Sequence, residues 1–271
     1  MNNIEIKRMN NIGIKRMNNI GIKRMNNAGQ MMEIIDYQDC HNVFVKFDDG
    51  TIVKCSMNCF RAGEVKNPNS ISVCGVGIVG NKYPIRENKQ LCKEYLVWSK
   101  MLERCYKNNR SNKNKSYIGC SVCKEWLYYP NFYEWLHSQS NYEKWKTEKY
   151  TIDKDIIQKG NKIYEPSKCC LVPYYINLLL TNHKSARGEY PVGVIYNKRD
   201  DCFDVMVNDG ILTDKKKIHL YGFQNPTIAF YKYKELKEKI IKERAKQEFE
   251  LKNITEDCYN ALLRYKIEIT D

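Results

Sequence analysis

The chain has 271 residues, enough for one large domain or about two to three small ones. Hydrophobic residues make up 42% and aromatics 12%, so a packed core can form and wholesale disorder is excluded. A balance of 45 Lys+Arg against 32 Asp+Glu, a formal net of +13, favours polyanionic partners, and no apolar run of about 18 residues is present to span a bilayer. The N-terminus shows no apolar signal segment, so the expected compartment is the cytoplasm. Twelve cysteines in a reducing cytosol are more often metal ligands or buried thiols than disulfides.

Residues 1–24 are an octad repeated three times, MNNIEIKR, MNNIGIKR and MNNIGIKR, and a fourth copy decays after Met25. Eight residues match neither a heptad nor a known solenoid unit. The three octads carry six basic side chains and one acidic, and the expectation for residues 1–31 is a disordered basic tail, with a DNA-grasping arm as the sharper alternative. Residues 32–74 read as a small β unit: MEIIDY, NVFVKF and TIVKC are β-rich runs, and Asp48-Asp49-Gly50 between the last two is a hairpin turn signal. Glycines and prolines over 75–91 mark a linker.

Over 92–106 the residues Tyr95, Trp98, Leu102 and Cys105 recur at helical spacing, and the polar, basic KNNRSNKNKS of 107–116 reads as a loop. A second short helix follows Pro130, then strand-like YTIDKDI, a turn at Gly160-Asn161, strand-like CCLVP and a helix from about Tyr174 to Asn182. VGVIYN, CFDVMVN and KKIHLYGF read as three strands. Pro226 opens a long helix with the apolar stripe Ala229, Tyr233, Leu236 and Ile240. A last helix near Asp257 to Arg264 leads into a strand-like KIEIT. The fold class that follows is α+β and modular.

The three strands and helix of 188–248, from GVIYN to KKIHLYGFQNPTIAFYKYKE, resemble an AP2-type DNA-binding module. The resemblance implies a three-stranded sheet in the major groove of double-stranded DNA with the helix packed behind it, since a twisted ribbon fits that groove. Arg187, Lys198, Arg199, Lys215, Lys216, Lys217 and His219 are the candidate DNA-binding residues. The usual aromatic of the second strand is Phe203 here, and Asp200-Asp201 adds negative charge.

Upstream, WSKMLERCY, CSVCKEW, IDKDIIQKGNKIYEP and SKCCLVP resemble the HNH segment of phage nucleases, over residues 92–184. That resemblance implies a ββα core holding one Mg2+ or Mn2+, with a base that activates water beside the metal-polarised phosphate. Carried over residue by residue, the candidate catalytic set is Asp153 and Asp155 on the first strand, Asn161 in the turn, and Asn177 and His183 on or just after the helix. The place of the base is held by Lys154, and a protonated lysine is a poor base.

The cysteines carry a separate expectation. Cys120-x-x-Cys123 supplies a knuckle, and Cys169 and Cys170 cannot both face inward on a strand, so Cys105, Cys120, Cys123 and Cys169 form the best quartet for a structural Zn2+. The sequence thus reads as a basic tail, a small β unit, an HNH-like core, an AP2-like module and a C-terminal helix and strand over 249–271. The expected activity is that of a homing-type DNA endonuclease. Its rivals are an inactive DNA-binding regulator and a phage protein that binds and inhibits a host defence complex.

Overall fold

The computed structural model describes residues 18–107, 117–181, 189–208 and 217–271, and the chain divides into one unit ending at Pro84 and a second spanning Ile85–Asp271. Among the described residues no helix is long and apolar enough to cross a membrane. Small antiparallel sheets and separate helices make the fold α+β.

In the first unit, β1 (Lys23–Met25), β2 (Met31–Asp39), β3 (Asn42–Phe47) and β4 (Ile52–Cys55) form one sheet in chain order. Alternation decides which side is buried: Met32 and Ile34 of β2 and Val43, Val45 and Phe47 of β3 are enclosed. A register shift between Ile34 and Asp36 brings Tyr37 onto the same buried side. Helix α1 (Met57–Ala62) adds Met57 and Phe60 to that core, and its N-cap Ser56 accepts a hydrogen bond from the Cys59 amide at 3.2 Å. The hairpin of β5 (Ile71–Val73) and β6 (Gly77–Ile78) follows.

The octad region departs from the expected tail. From Asn18 onward it is part of the first unit: β1 pairs with β2, with Lys23 opposite Glu33 and Met25 opposite Met31. Backbone bonds that no composition count reveals hold it there, Gly21 N to Ile34 O at 2.8 Å and Ile34 N to Ile22 O at 3.0 Å. Residues 1–17 lie outside the described residues.

The second unit opens on the hairpin of β7 (Arg86–Glu87) and β8 (Gln90–Leu91), so the 75–91 segment contains paired strands. Helix α2 (Lys93–Tyr106) buries Trp98, Met101 and Leu102. After β9 (Ser121–Val122) and a turn of 3-10 helix (Glu125–Leu127) come α3 (Tyr129–Ser138) and α4 (Tyr142–Thr147). Trp98, Trp126, Tyr129, Phe132 and Trp145 are almost wholly enclosed there, and the Trp98 indole donates to the Trp126 carbonyl at 2.6 Å. Next are β10 (Tyr150–Asp153), β11 (Ile163–Tyr164), β12 (Cys170–Pro173) and α5 (Tyr174–Leu180).

The chain then runs through β13 (Val194–Asn197), β14 (Cys202–Asn208) and β15 (Lys217–Phe223), an antiparallel sheet in that order, into α6 (Pro226–Glu250) and α7 (Glu256–Leu263). Asn225 caps α6 by accepting from the Thr227 amide at 2.8 Å. Gly193 sits at φ +78°, where a Cβ would strike the Tyr233 ring of α6, so the absence of a side chain sets how closely helix and sheet approach.

One hydrophobic core joins the β10–β12–α5 segment to the three-stranded sheet, α6 and α7. Cys170, Val172 and Ile176 of the ββα segment pack with Val194, Val205 and Val207 of the three-stranded sheet, Phe230 and Ile241 of α6, and Cys258 and Leu262 of α7. The C-terminal part of the segment read as HNH-like therefore packs into the same core as the segment read as AP2-like. The strand expected at KIEIT is absent: residues 265–268 are irregular. Ile267 is buried there, and its amide donates to Glu238 Oε1 of α6 at 3.0 Å in place of a strand partner.

Candidate functional site

The carboxylates and amides of the expected nuclease centre lie around one loop. β10 pairs antiparallel with β12, Tyr150 opposite Pro173 and Asp153 opposite Cys170, and α5 follows β12 without a break. The connection leaving β10 is tied by side chains. Asp153 Oδ1 accepts from the amides of Asp155 at 2.7 Å and Ile156 at 2.9 Å, an Asx-type turn. The Lys154 side chain is only 7% exposed, and its Nζ donates to Asp155 Oδ2 at 2.6 Å and to the Asn161 carbonyl at 2.7 Å. Asn161 returns the bond: its Nδ2 donates to the Lys154 carbonyl at 2.9 Å and to the Ile163 carbonyl at 2.7 Å, while its Oδ1 accepts from the Ile163 amide at 3.1 Å. Each of these two residues thus spends its side chain on the other's backbone, which closes residues 154–161 into a fixed loop.

Of the remaining members of that set, one lies among the described residues. Asn177 is half-buried on α5, where its carbonyl accepts from the Thr181 hydroxyl, and His183 lies outside the described residues. One oxygen of Asp153 is taken by two amides, and Asp155 is ion-paired with Lys154.

Desolvation raises the Asp153 carboxyl above its ordinary range, against the pull of those two amides. A raised carboxyl binds its proton more tightly in the folded chain, so its contribution to stability is present at low pH and is lost as pH rises through the raised value. Asp153→Asn keeps the Oδ1 acceptor and removes the buried charge. The expected result is a melting temperature at neutral pH that holds or rises, with a flatter acid dependence. Asp153→Ala should lose about 1–2 kcal/mol by stranding two amides. Thermal melts of the three proteins across the acid range check this, and a large loss in the Asn variant would reject it.

Cys105 lies on α2, Cys120 and Cys123 flank β9, and Cys169 precedes β12; Cys120 and Cys169 are buried. Strand β9 pairs in parallel with β11, and the Cys123 amide donates to the Tyr164 carbonyl at 2.9 Å. Burial raises the thiols of Cys105 and Cys123 to about 11 and that of Cys169 to about 12. Cys170 belongs to the shared core together with Cys258. Among the described residues no group of three or more His, Cys, Asp or Glu side chains converges as a metal site, so the quartet does not present a tetrahedral set here.

The three-stranded sheet buries one face on α6 and leaves the other open. Ile195, at 46% exposure, and Tyr221, at 70%, stand on that open face with His219, whose ring stacks along Tyr221 at 6.0 Å. Asp204 lies opposite Ile195 and accepts from Asn197 at 3.1 Å and from the Gly222 amide at 3.2 Å. At the β13–β14 turn, Arg199 is bound to Asp200 through Nε at 3.0 Å and Nη2 at 2.9 Å, and Tyr196 donates to Asp201 at 2.6 Å. Lys198, Lys217 and His219 are exposed; Arg187, Lys215 and Lys216 lie outside the described residues.

Residues 188–223, the sheet part of the module, contain five basic side chains (Lys198, Arg199, Lys215, Lys216, Lys217) against six acidic ones (Glu189, Asp200, Asp201, Asp204, Asp209, Asp214), so the sheet is not basic. The excess lies elsewhere. Residues 85–116 hold nine basic and three acidic side chains, and the last ten of them, 107–116, hold Lys107, Arg110, Lys113 and Lys115 with no acid. The 107–116 run reads as a basic loop but is not among the candidate DNA-binding residues; counting both signs along the chain brings it forward. No known family model, curated protein or solved structure matches the chain.

Proposed function

We propose that this chain is a double-stranded DNA-binding protein whose HNH-like ββα unit acts as a scaffold, not as a nuclease. The observation that carries the reading is the loop between Asp153 and Asn161, where the side chains that the resemblance assigns to catalysis are engaged by backbone amides, carbonyls and Lys154. The net charge of +13 supports a polyanionic partner, and the basic run within 85–116 supports phosphate contact from that segment. The order of a ββα unit followed by a three-stranded sheet and a helix supports an origin in phage or mobile-element DNA proteins. The place of action under this reading is the cytoplasm of a bacterial host.

Supercoiled plasmid incubated with Mg2+, with Mn2+ and with EDTA tests it directly. The expected result is retarded but intact plasmid in all three. Metal-dependent nicking or linearisation would instead establish the homing-type endonuclease and place Mg2+ or Mn2+ at Asp153 and Asp155. Zinc on Cys105, Cys120, Cys123 and Cys169 belongs to that alternative, and elemental analysis of protein purified without chelator decides it. A second reading has one observation in its favour. The open sheet face, with exposed Tyr221 and Ile195 beside Asp204, suits a host defence protein better than it suits phosphate. A stoichiometric host complex that forms without salt-sensitive duplex binding would select it.

A further inference from the structure

Residues 9–19 and 17–27 have the same sequence, MNNIGIKRMNN. From Asn18 on, the second of these segments is built into the first unit, and the groups that hold it there recur eight positions upstream. Gly21 and Ile22 exchange backbone hydrogen bonds with Ile34 at 2.8 and 3.0 Å. Lys23 pairs with Glu33 at 3.3 Å. Asn26 is buried, donates to the Val65 carbonyl at 3.0 Å and accepts from the Gln30 amide at 2.8 Å, and the Asn27 amide donates to the Gly63 carbonyl at 2.7 Å. The corresponding upstream residues are Gly13, Ile14, Lys15, Asn18 and Asn19. The slot also selects among octads. Gly21 stands at φ +85°, in the left-handed region that penalises any side chain; the second octad has glycine there and the first has Glu5.

We propose that the edge of β2 and the end of α1 form a docking slot for one MNNIGIKRMNN segment, and that residues 9–19 of the same chain are its spare occupant, entering by an eight-residue slip when residues 17–27 leave. In the slipped register residues 20–27 become an added loop ahead of β2. The added loop and the disturbed turn at Ala28 and Gly29 keep the slipped form minor in the unaltered protein.

Hydrogen exchange of the β2 amides in the full chain, followed by mass spectrometry, tests this with Gly21→Val, Gly13→Val and the double variant. Valine at a left-handed position weakens docking by roughly tenfold or more. Gly13→Val should leave β2 protection unchanged. Gly21→Val should reduce it only a few-fold, with new protection appearing over residues 9–19. The double variant should lose roughly tenfold more, and deleting residues 1–16 on the Gly21→Val background should reproduce it. A Gly21→Val protein indistinguishable from the double, or a double indistinguishable from the unaltered chain, overturns the proposal. So does a Gly21→Val protein that becomes a dimer by sedimentation, because the occupant would then come from a second chain.

Discussion

Replacing Asn161 with alanine should destabilise the second unit by about 3 kcal/mol, and should do so whether or not DNA or metal is present. The variant leaves the Lys154 and Ile163 carbonyls and the Ile163 amide without their partner, and each stranded buried group costs about 1–3 kcal/mol, partly recovered by water. For a unit of this size a loss of about 3 kcal/mol corresponds to a fall of roughly 6–12 °C in melting temperature. All four tryptophans, Trp98, Trp126, Trp135 and Trp145, lie beyond residue 85, so their fluorescence reports this unit alone. Lys154→Met should follow in the same direction with a smaller effect, since Asp155 is half exposed and water replaces the lysine there. A catalytic asparagine behaves otherwise: its loss would abolish plasmid cleavage and leave the melt in place. An unchanged melting temperature in Asn161→Ala would remove the scaffold reading.

Much of the fold was legible from periodicity alone. The alternation in VGVIYN, CFDVMVN and KKIHLYGF, followed by Pro226 and a helical stripe, gives the sheet and helix as they stand, although the helix buries Phe230 and Ile241 rather than only the stripe through Leu236 and Ile240. KIEIT alternates equally well and forms no strand, because Glu238, nearly thirty residues away, takes the Ile267 amide. Alternation states which residues face inward; it does not state whether a neighbour supplies a strand or a single carboxylate. The third octad was illegible for a related reason. Its attachment is mainly backbone hydrogen bonds to Ile34, and its isoleucines at 20 and 22 remain 44% and 42% exposed, so no hydrophobic signal marks it. At the candidate site the positions of Asp153, Lys154 and Asn161 were readable and their roles were not. Asp and Asn around a Gly160 turn are as much a turn signature as a catalytic one, and only the hydrogen bonds separate the two.

Duplex binding should depend far more on the 107–116 segment than on the three-stranded sheet. Each phosphate contact adds roughly 0.9 to the slope of log affinity against log salt concentration. Changing Lys107, Arg110, Lys113 and Lys115 together to alanine should therefore flatten that slope by up to about 3.6 and weaken binding most at low salt. Changing Lys215, Lys216 and Lys217 to alanine should flatten it by less than about 1, because the sheet carries more acid than base and its Arg199 is already held by Asp200. Neither set should shift the melting temperature by much: Lys107 is an exposed partner of Glu103 at 3.1 Å, and exposed pairs contribute under about 1 kcal/mol. Titrations of a random duplex at several salt concentrations, with both variants and the unaltered chain, separate the two surfaces. If the sheet variant loses the slope and the 107–116 variant keeps it, the sheet lies in the groove as the AP2-type resemblance implies. If neither loses it, phosphate is met by neither surface, and the exposed face around Tyr221 and Ile195 becomes the place to look for a protein partner.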